Sequence, residues 1–76
     1  MSYSLNVVIA ESSQFRLYSY GNGDAYHLVE VAHDAEPGVF VQGDDATEFR
    51  AYFDAYCESQ PTINHALAEL WNQYTY

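Results

Sequence analysis

The sequence predicts an α+β fold in which an antiparallel meander of about four short strands is followed by two helices packed on one face. Residues 3–42 contain short β-prone stretches separated by turn residues, whereas residues 43–60 and 62–76 carry apolar side chains at helical spacing. The chain has 76 residues and contains neither repeats nor a linker. We therefore expect a single domain, residues 1–76.

The first two strands are predicted over residues 3–10 and 15–20, on either side of a polar turn. In the first strand, alternate residues would share one half-buried face. These residues are Tyr3, Leu5, Val7 and Ile9.

The stretch Gly21-Asn22-Gly23-Asp24 is the clearest turn signal, because Asn-Gly supplies the positive φ angles that a type I′ hairpin turn requires. The third strand, predicted over residues 25–33, should therefore pair antiparallel with the second. An acidic connection ending in Pro37-Gly38 leads to a short fourth strand, residues 39–42. The proline indicates that this strand begins at or near a sheet edge.

Residues 43–60 predict one amphipathic helix. Its N-cap is expected at Asp45, because Glu48 follows three residues later as in a capping box. Arg50 is placed to pair with Asp54 four residues on. The apolar side consists of Ala46, Phe49, Phe53, Tyr56 and Cys57. The opposite side carries Asp44, Glu48, Asp54 and Glu58.

A second helix is predicted from about Thr62, since the residue before Pro61 disfavours the α conformation and Thr62 can serve as N-cap. Its apolar stripe consists of Ile63, Leu67, Leu70, Trp71 and Tyr74.

The charge balance is extreme, with 11 Asp or Glu residues, two Arg and a formal net charge of −9. Direct binding to nucleic acid is not expected, because neutralising phosphates requires Lys and Arg. An anionic membrane surface would repel the chain, whereas basic protein surfaces would attract it. The first ten residues predict neither a signal peptide nor a transmembrane helix, so a cytoplasmic location is expected.

The sequence contains no catalytic motif, so neither enzymatic activity nor a cofactor is expected. His27 and His33 would share one face of the third strand while Glu30 points away, which favours surface polar residues over a metal site. Cys57 and His65 could form a thiol–imidazole pair, but a buried structural cysteine is favoured. A small enzyme or metal-binding protein that uses His27, His33 or Cys57 stays an alternative.

Tyrosine is abundant and is enriched at protein interfaces. Five of the eight tyrosines are candidates for partial exposure, although the core is the commoner place for any one of them. They are Tyr18, Tyr20, Tyr26, Tyr74 and Tyr76.

Ordinary solvated helix faces mix both signs of charge, with Lys common, and here compensating cations are almost missing. This predicts an anionic binding surface. Its candidate residues are Asp34, Glu36, Asp44, Asp45, Glu48, Asp54 and Glu58. Because Asp44 and Asp45 also stabilise the positive end of the helix dipole, the last three residues are the stricter test of function.

In size, acidity, lack of cysteine pairs and α+β layout, the sequence resembles small acidic phage anti-CRISPR proteins that inhibit type I interference complexes. The resemblance covers the whole chain as a profile and involves no shared motif, so no binding residue is transferred. It implies an inhibitor, acting in the host cytoplasm as a monomer or weak dimer. Its carboxylates would replace DNA phosphates in a basic groove of a CRISPR effector subunit and block DNA binding. An antitoxin or immunity protein that neutralises a basic nuclease is the alternative.

Overall fold

A computed structural model describes residues 6–21, 23–33 and 38–75. It confirms a four-stranded antiparallel meander followed by two helices, with the strand order β1-β2-β3-β4. The strands are β1 (Asn6–Glu11), β2 (Phe15–Tyr20), β3 (Ala25–Glu30) and β4 (Val39–Gln42), and the helices are α1 (Asp44–Ser59) and α2 (Ile63–Thr75).

The predicted hairpin between β2 and β3 is confirmed. Its register runs from Phe15 opposite Glu30 to Tyr20 opposite Ala25. Gly21 and Gly23 have φ angles of 56° and 98°, which are accessible to glycine without the steric cost that a side chain imposes. The glycines around Asn22, which itself lies outside the described residues, therefore reverse the chain.

The expected burial of the first strand is wrong for Val7 and Ile9, whose side chains are 61% and 37% exposed. A β-bulge lies between Val8 and Ala10, so Ile9 has no residue directly opposite on β2. Within the described part of this edge strand, only Ala10 packs against the core. The predicted partners on this face, Tyr3 and Leu5, lie outside the described residues.

The third strand is shorter than predicted and ends at Glu30, after which Val31–His33 forms a 3₁₀ turn. The backbone N–H of Val31 still donates to the carbonyl of Gln14 at 2.8 Å. The pairing of β2 with β3 ends where Phe15 is opposite Glu30. Val31 lies beyond this last pair, so its preference for strand structure is overridden. Consequently, His27 and His33 do not share a strand face.

Both helices pack on the same face of the sheet, as predicted. Phe49 of α1 is fully buried, with its ring stacked on Tyr26 at 5.6 Å and tilted against Tyr74 at 5.1 Å between ring centroids. Trp71 of α2 covers Phe15 at 5.7 Å. The core between sheet and helices also contains Leu17, Leu28, Val39, Val41, Ala46, Phe53, Leu67 and Leu70.

The start of α1 differs from the predicted capping box at Asp45. The N-cap is Gly43, with φ 64° and ψ −135°, and no side chain caps the helix. Its carbonyl accepts from the N–H of Ala46 at 3.1 Å, while its own N–H donates to the carbonyl of Asp24 at 3.3 Å. This link to the hairpin fixes the position of Gly43, so α1 begins at Asp44, two residues earlier than a cap at Asp45 would allow.

The junction between the helices agrees with the prediction. Gln60 is extended, with φ −96° and ψ 150°, immediately before Pro61. The hydroxyl of Thr62 accepts a hydrogen bond from the N–H of His65 at 3.2 Å, which is the N-cap contact expected for α2. In α2, Leu67 and Leu70 are fully buried, whereas Ile63 at the start of the predicted stripe is 38% exposed.

Candidate functional site

The outward side of α1 presents four exposed carboxylates that follow the helical repeat. We call Asp44, Glu48, Asp54 and Glu58 the acidic face of α1. With a rise of 1.5 Å per residue, this face extends over about 21 Å of helix axis. The exposed residues among these carboxylates are small, namely Thr47, Ala51, Ala55 and Ser59. The carboxylates therefore extend further from the helix than their small neighbours do, which leaves room for a partner's long basic side chains.

Arg50 compensates one of these charges. Its Nε donates to Oδ1 of Asp54 at 3.1 Å, which confirms the predicted pair, and a second guanidinium nitrogen donates to the Tyr26 hydroxyl at 3.2 Å. The hydrogen bonds to Tyr26 and Asp54 raise the pKa of Arg50 above its usual value. The bond to Tyr26 holds the Arg50 guanidinium beside Asp54. The negative charge of Asp54 is therefore the least available to a partner among the four carboxylates of the acidic face.

Glu48 and Glu58 differ from Asp54, since neither makes a hydrogen bond or ion pair with any residue in the described ranges. They are ten positions apart in the sequence, which corresponds to about 15 Å along the helix. The sequence did not distinguish these glutamates from Asp54, because the second hydrogen bond of Arg50 depends on the position of Tyr26 in β3.

The other predicted acidic residues divide into two groups. Asp44 and Asp45 are exposed in the first turn of α1, where their charge also complements the helix dipole. Asp34 and Glu36 lie outside the described residues, so the second acidic patch stays a prediction.

Cys57 was expected to be buried, and this is wrong because its side chain is exposed. It lies about 40° around the helix from Phe53, which places it beyond the margin of the buried stripe. Partial burial raises the pKa of the Cys57 thiol, and the charge of Asp54 raises it further, against a smaller opposite effect of Arg50. A raised pKa lowers the thiolate fraction, which is the reverse of what a nucleophilic cysteine needs.

Among the side chains that the structure describes, His27 and His65 do not join sites of the kind that the sequence spacing allowed. The Nδ1 atom of His65 lies 2.7 Å from the Thr62 hydroxyl, and Cys57 has no hydrogen bond within the described part of the chain. In the same part, no group of three or more His, Cys, Asp or Glu residues could hold a metal ion.

Sequence reasoning missed one surface, the side of the sheet that faces away from both helices. By register, Tyr18, His27 and Phe40 lie next to each other across β2, β3 and β4 on this side. The available signal was the occurrence of apolar side chains at both odd and even positions of β2 and β4. That pattern does not reveal which face the helices cover.

Comparisons with protein families, curated proteins and solved structures returned no match to this chain. Within the described ranges, neither helix has the length and apolar character needed to cross a membrane. The geometry of the acidic face is therefore the basis for a functional proposal.

Proposed function

We propose that this protein is a non-enzymatic inhibitor of the anti-CRISPR type, which binds a basic subunit of a nucleic-acid-handling complex through the acidic face of α1. The bound inhibitor would occupy the groove of that subunit that receives DNA. The observation that carries the proposal is the pair Glu48 and Glu58, exposed on one helix face without a compensating cation among the described residues.

Electrostatics supports such a partner in two ways. The net charge of −9 attracts basic surfaces over distances of about one Debye length, roughly 8 Å at physiological salt. At contact, Lys and Arg side chains of the partner can donate charge-assisted hydrogen bonds to the carboxylates. Along the axis of α1, the carboxylates of the acidic face follow one another at intervals of about 6, 9 and 6 Å, which imitates the phosphates of one DNA strand coarsely.

The test is a DNA-binding assay with a purified type I interference complex and fluorescent target DNA. Wild-type protein should prevent formation of the DNA complex in proportion to its concentration, and the inhibition should weaken as salt rises. Replacing Glu48, Asp54 and Glu58 together by Lys should abolish inhibition, whereas D54K alone should have the smallest effect of the three single changes.

The matched control is E69K, which makes the same charge change at an exposed position of α2. E48K and E58K should each weaken inhibition by about tenfold or more, and E69K by much less. If the triple variant stays folded by circular dichroism and still inhibits like the wild type, the acidic face is not the binding surface. If the wild type inhibits no type I complex, the anti-CRISPR assignment is wrong.

A further inference from the structure

The face of the sheet opposite the helices carries a continuous row of apolar and aromatic side chains. Val8 is opposite Tyr18, Tyr18 is opposite His27, and His27 is opposite Phe40, so the row crosses all four strands. Neighbouring rings lie 5.9 to 6.3 Å apart, and Tyr20 meets Phe40 edge-on at 6.1 Å. We call these five residues the outer row.

The outer row is accessible. Phe40 is 49% exposed, Val8 is 44% exposed, and the remaining three members are half-buried. An antiparallel sheet with one face in water ordinarily carries polar side chains there. A contiguous apolar patch on that face instead marks an interaction site.

Charge indicates what the outer row can bind. Among the described residues that register places on this face, the ionised ones are Arg16 and Glu11, which form an ion pair at 2.8 Å. Ala25 and Val29 share the face and are buried. The patch is thus close to neutral on a molecule of charge −9. A single-stranded nucleic acid would stack on aromatic rings, but it also needs a basic groove, and Arg16 is already engaged.

We propose that the outer row is a self-association surface, and that its occupant is a second copy of this chain packed sheet to sheet. A two-fold axis would place the same apolar, neutral patch on both sides of the contact. Sheets pack roughly 10 Å apart, and each helix layer adds roughly another 10 Å on the outside. The two acidic faces would therefore be about 30 Å apart, several Debye lengths at physiological salt.

The size of the patch sets the strength of the association. Four strands at about 4.8 Å spacing and about five residues of 3.3 Å rise cover a projected area of about 300–400 Å² per copy. Two copies would bury roughly 600–800 Å² on this basis, which is at the low end of the range of weak, transient interfaces. The expected dimer is reversible, with a dissociation constant in the micromolar range or above.

The experiment is sedimentation equilibrium of the full chain from about 10 μM to about 1 mM protein. Wild-type protein should convert from monomer to dimer across this range. The dimer fraction should rise with added salt, because salt screens repulsion between two acidic molecules. Target binding through the acidic face should show the opposite salt dependence, and E48K/E58K should leave dimerisation intact, so failure of one proposal is distinguishable from failure of the other.

Two lysine substitutions in the outer row, F40K and V8K, should each raise the dissociation constant by about tenfold or more. I63K introduces the same charge at an exposed apolar position of α2 and should have little effect. If F40K unfolds by circular dichroism, V8K decides. A wild type that stays monomeric overturns the proposal, as does a dimer that is dissociated by I9K at the edge of β1 but survives both outer-row changes.

Discussion

Tyr74 has a buried hydroxyl that makes no hydrogen bond in the described part of the chain, although its ring packs on Phe49. A buried polar group without a partner costs about 1–3 kcal/mol. We expect Y74F to raise the free energy of unfolding by about 1 kcal/mol, which corresponds to a Tm increase of about 4–8 °C in a domain of this size. Thermal unfolding followed by circular dichroism measures this change.

The same tyrosine adds a pH dependence. Burial, and then the charge of Glu48, raise the pKa of Tyr74. A group whose pKa is raised by folding contributes stability below its unfolded-state pKa, about 10, and this contribution is lost as pH rises through the folded value. Y74F should therefore resist alkaline unfolding better than the wild type.

The control is Y56F, which removes a hydroxyl that donates to the side-chain carbonyl of Gln73. This change should leave stability unchanged or lower it by up to about 1 kcal/mol. If Y74F destabilises the protein as much as Y56F does, the Tyr74 hydroxyl has a hydrogen-bond partner in solution.

At the scale of elements, β4 lies between two glycines of positive φ that fulfil different steric requirements. A Cβ at Gly38, where φ is 66°, would collide with the carbonyl oxygen of Leu28, whereas at Gly43 it would meet no atom within 4 Å. G43A should cost about 1–3 kcal/mol of backbone strain. We expect G38A to cost at least about 1 kcal/mol more, because it combines strain with overpacking against the backbone of β3.

Urea unfolding of both variants measures the difference between them. Equal losses would show that the chain around Gly38 moves away from Leu28 at little cost. A larger loss for G43A would instead mean that the N-cap of α1, with its link to the Asp24 carbonyl, is the stricter constraint on this connection.

The elements that the sequence predicted well depend on short-range spacing. The Arg50–Asp54 pair, the Thr62 cap and the break at Pro61 each involve residues within four positions of one another. Likewise, Gly21 and Gly23 form the hairpin turn in which they themselves lie, so the turn depends on local sequence alone.

The features that escaped prediction depend on contacts between distant parts of the chain. Gly43 replaces Asp45 as N-cap because it bonds to Asp24, and the bulge at Ile9 is visible only against β2. Similarly, Glu48 and Glu58 are distinguished from Asp54 only once Tyr26 is seen to hold Arg50.

At the scale of the whole molecule, the formal charge of −9 should reduce stability at low ionic strength. Both arginines are already in ion pairs, with Glu11 and with Asp54. We expect the free energy of unfolding to rise between about 10 mM and about 500 mM NaCl at pH 7, because salt screens repulsion that is stronger in the compact state. Urea unfolding at constant pH measures the increase.

E48K/E58K provides the control, since each substitution makes the formal charge two units less negative. Its salt-dependent gain should be smaller than that of the wild type. An equal gain would indicate that sodium chloride acts through a general effect on apolar burial rather than through charge.

The bulge at Ile9 also bears on the risk of aggregation. Val7, Val8 and Ile9 form an exposed, uncharged, β-prone run on an edge strand, the composition from which cross-β stacking starts. An extra residue twists such an edge and interrupts the row of backbone groups that an incoming strand would need. Growth of the sheet by addition of further chains at β1 is therefore discouraged, and assembly by face-to-face packing closes after two copies.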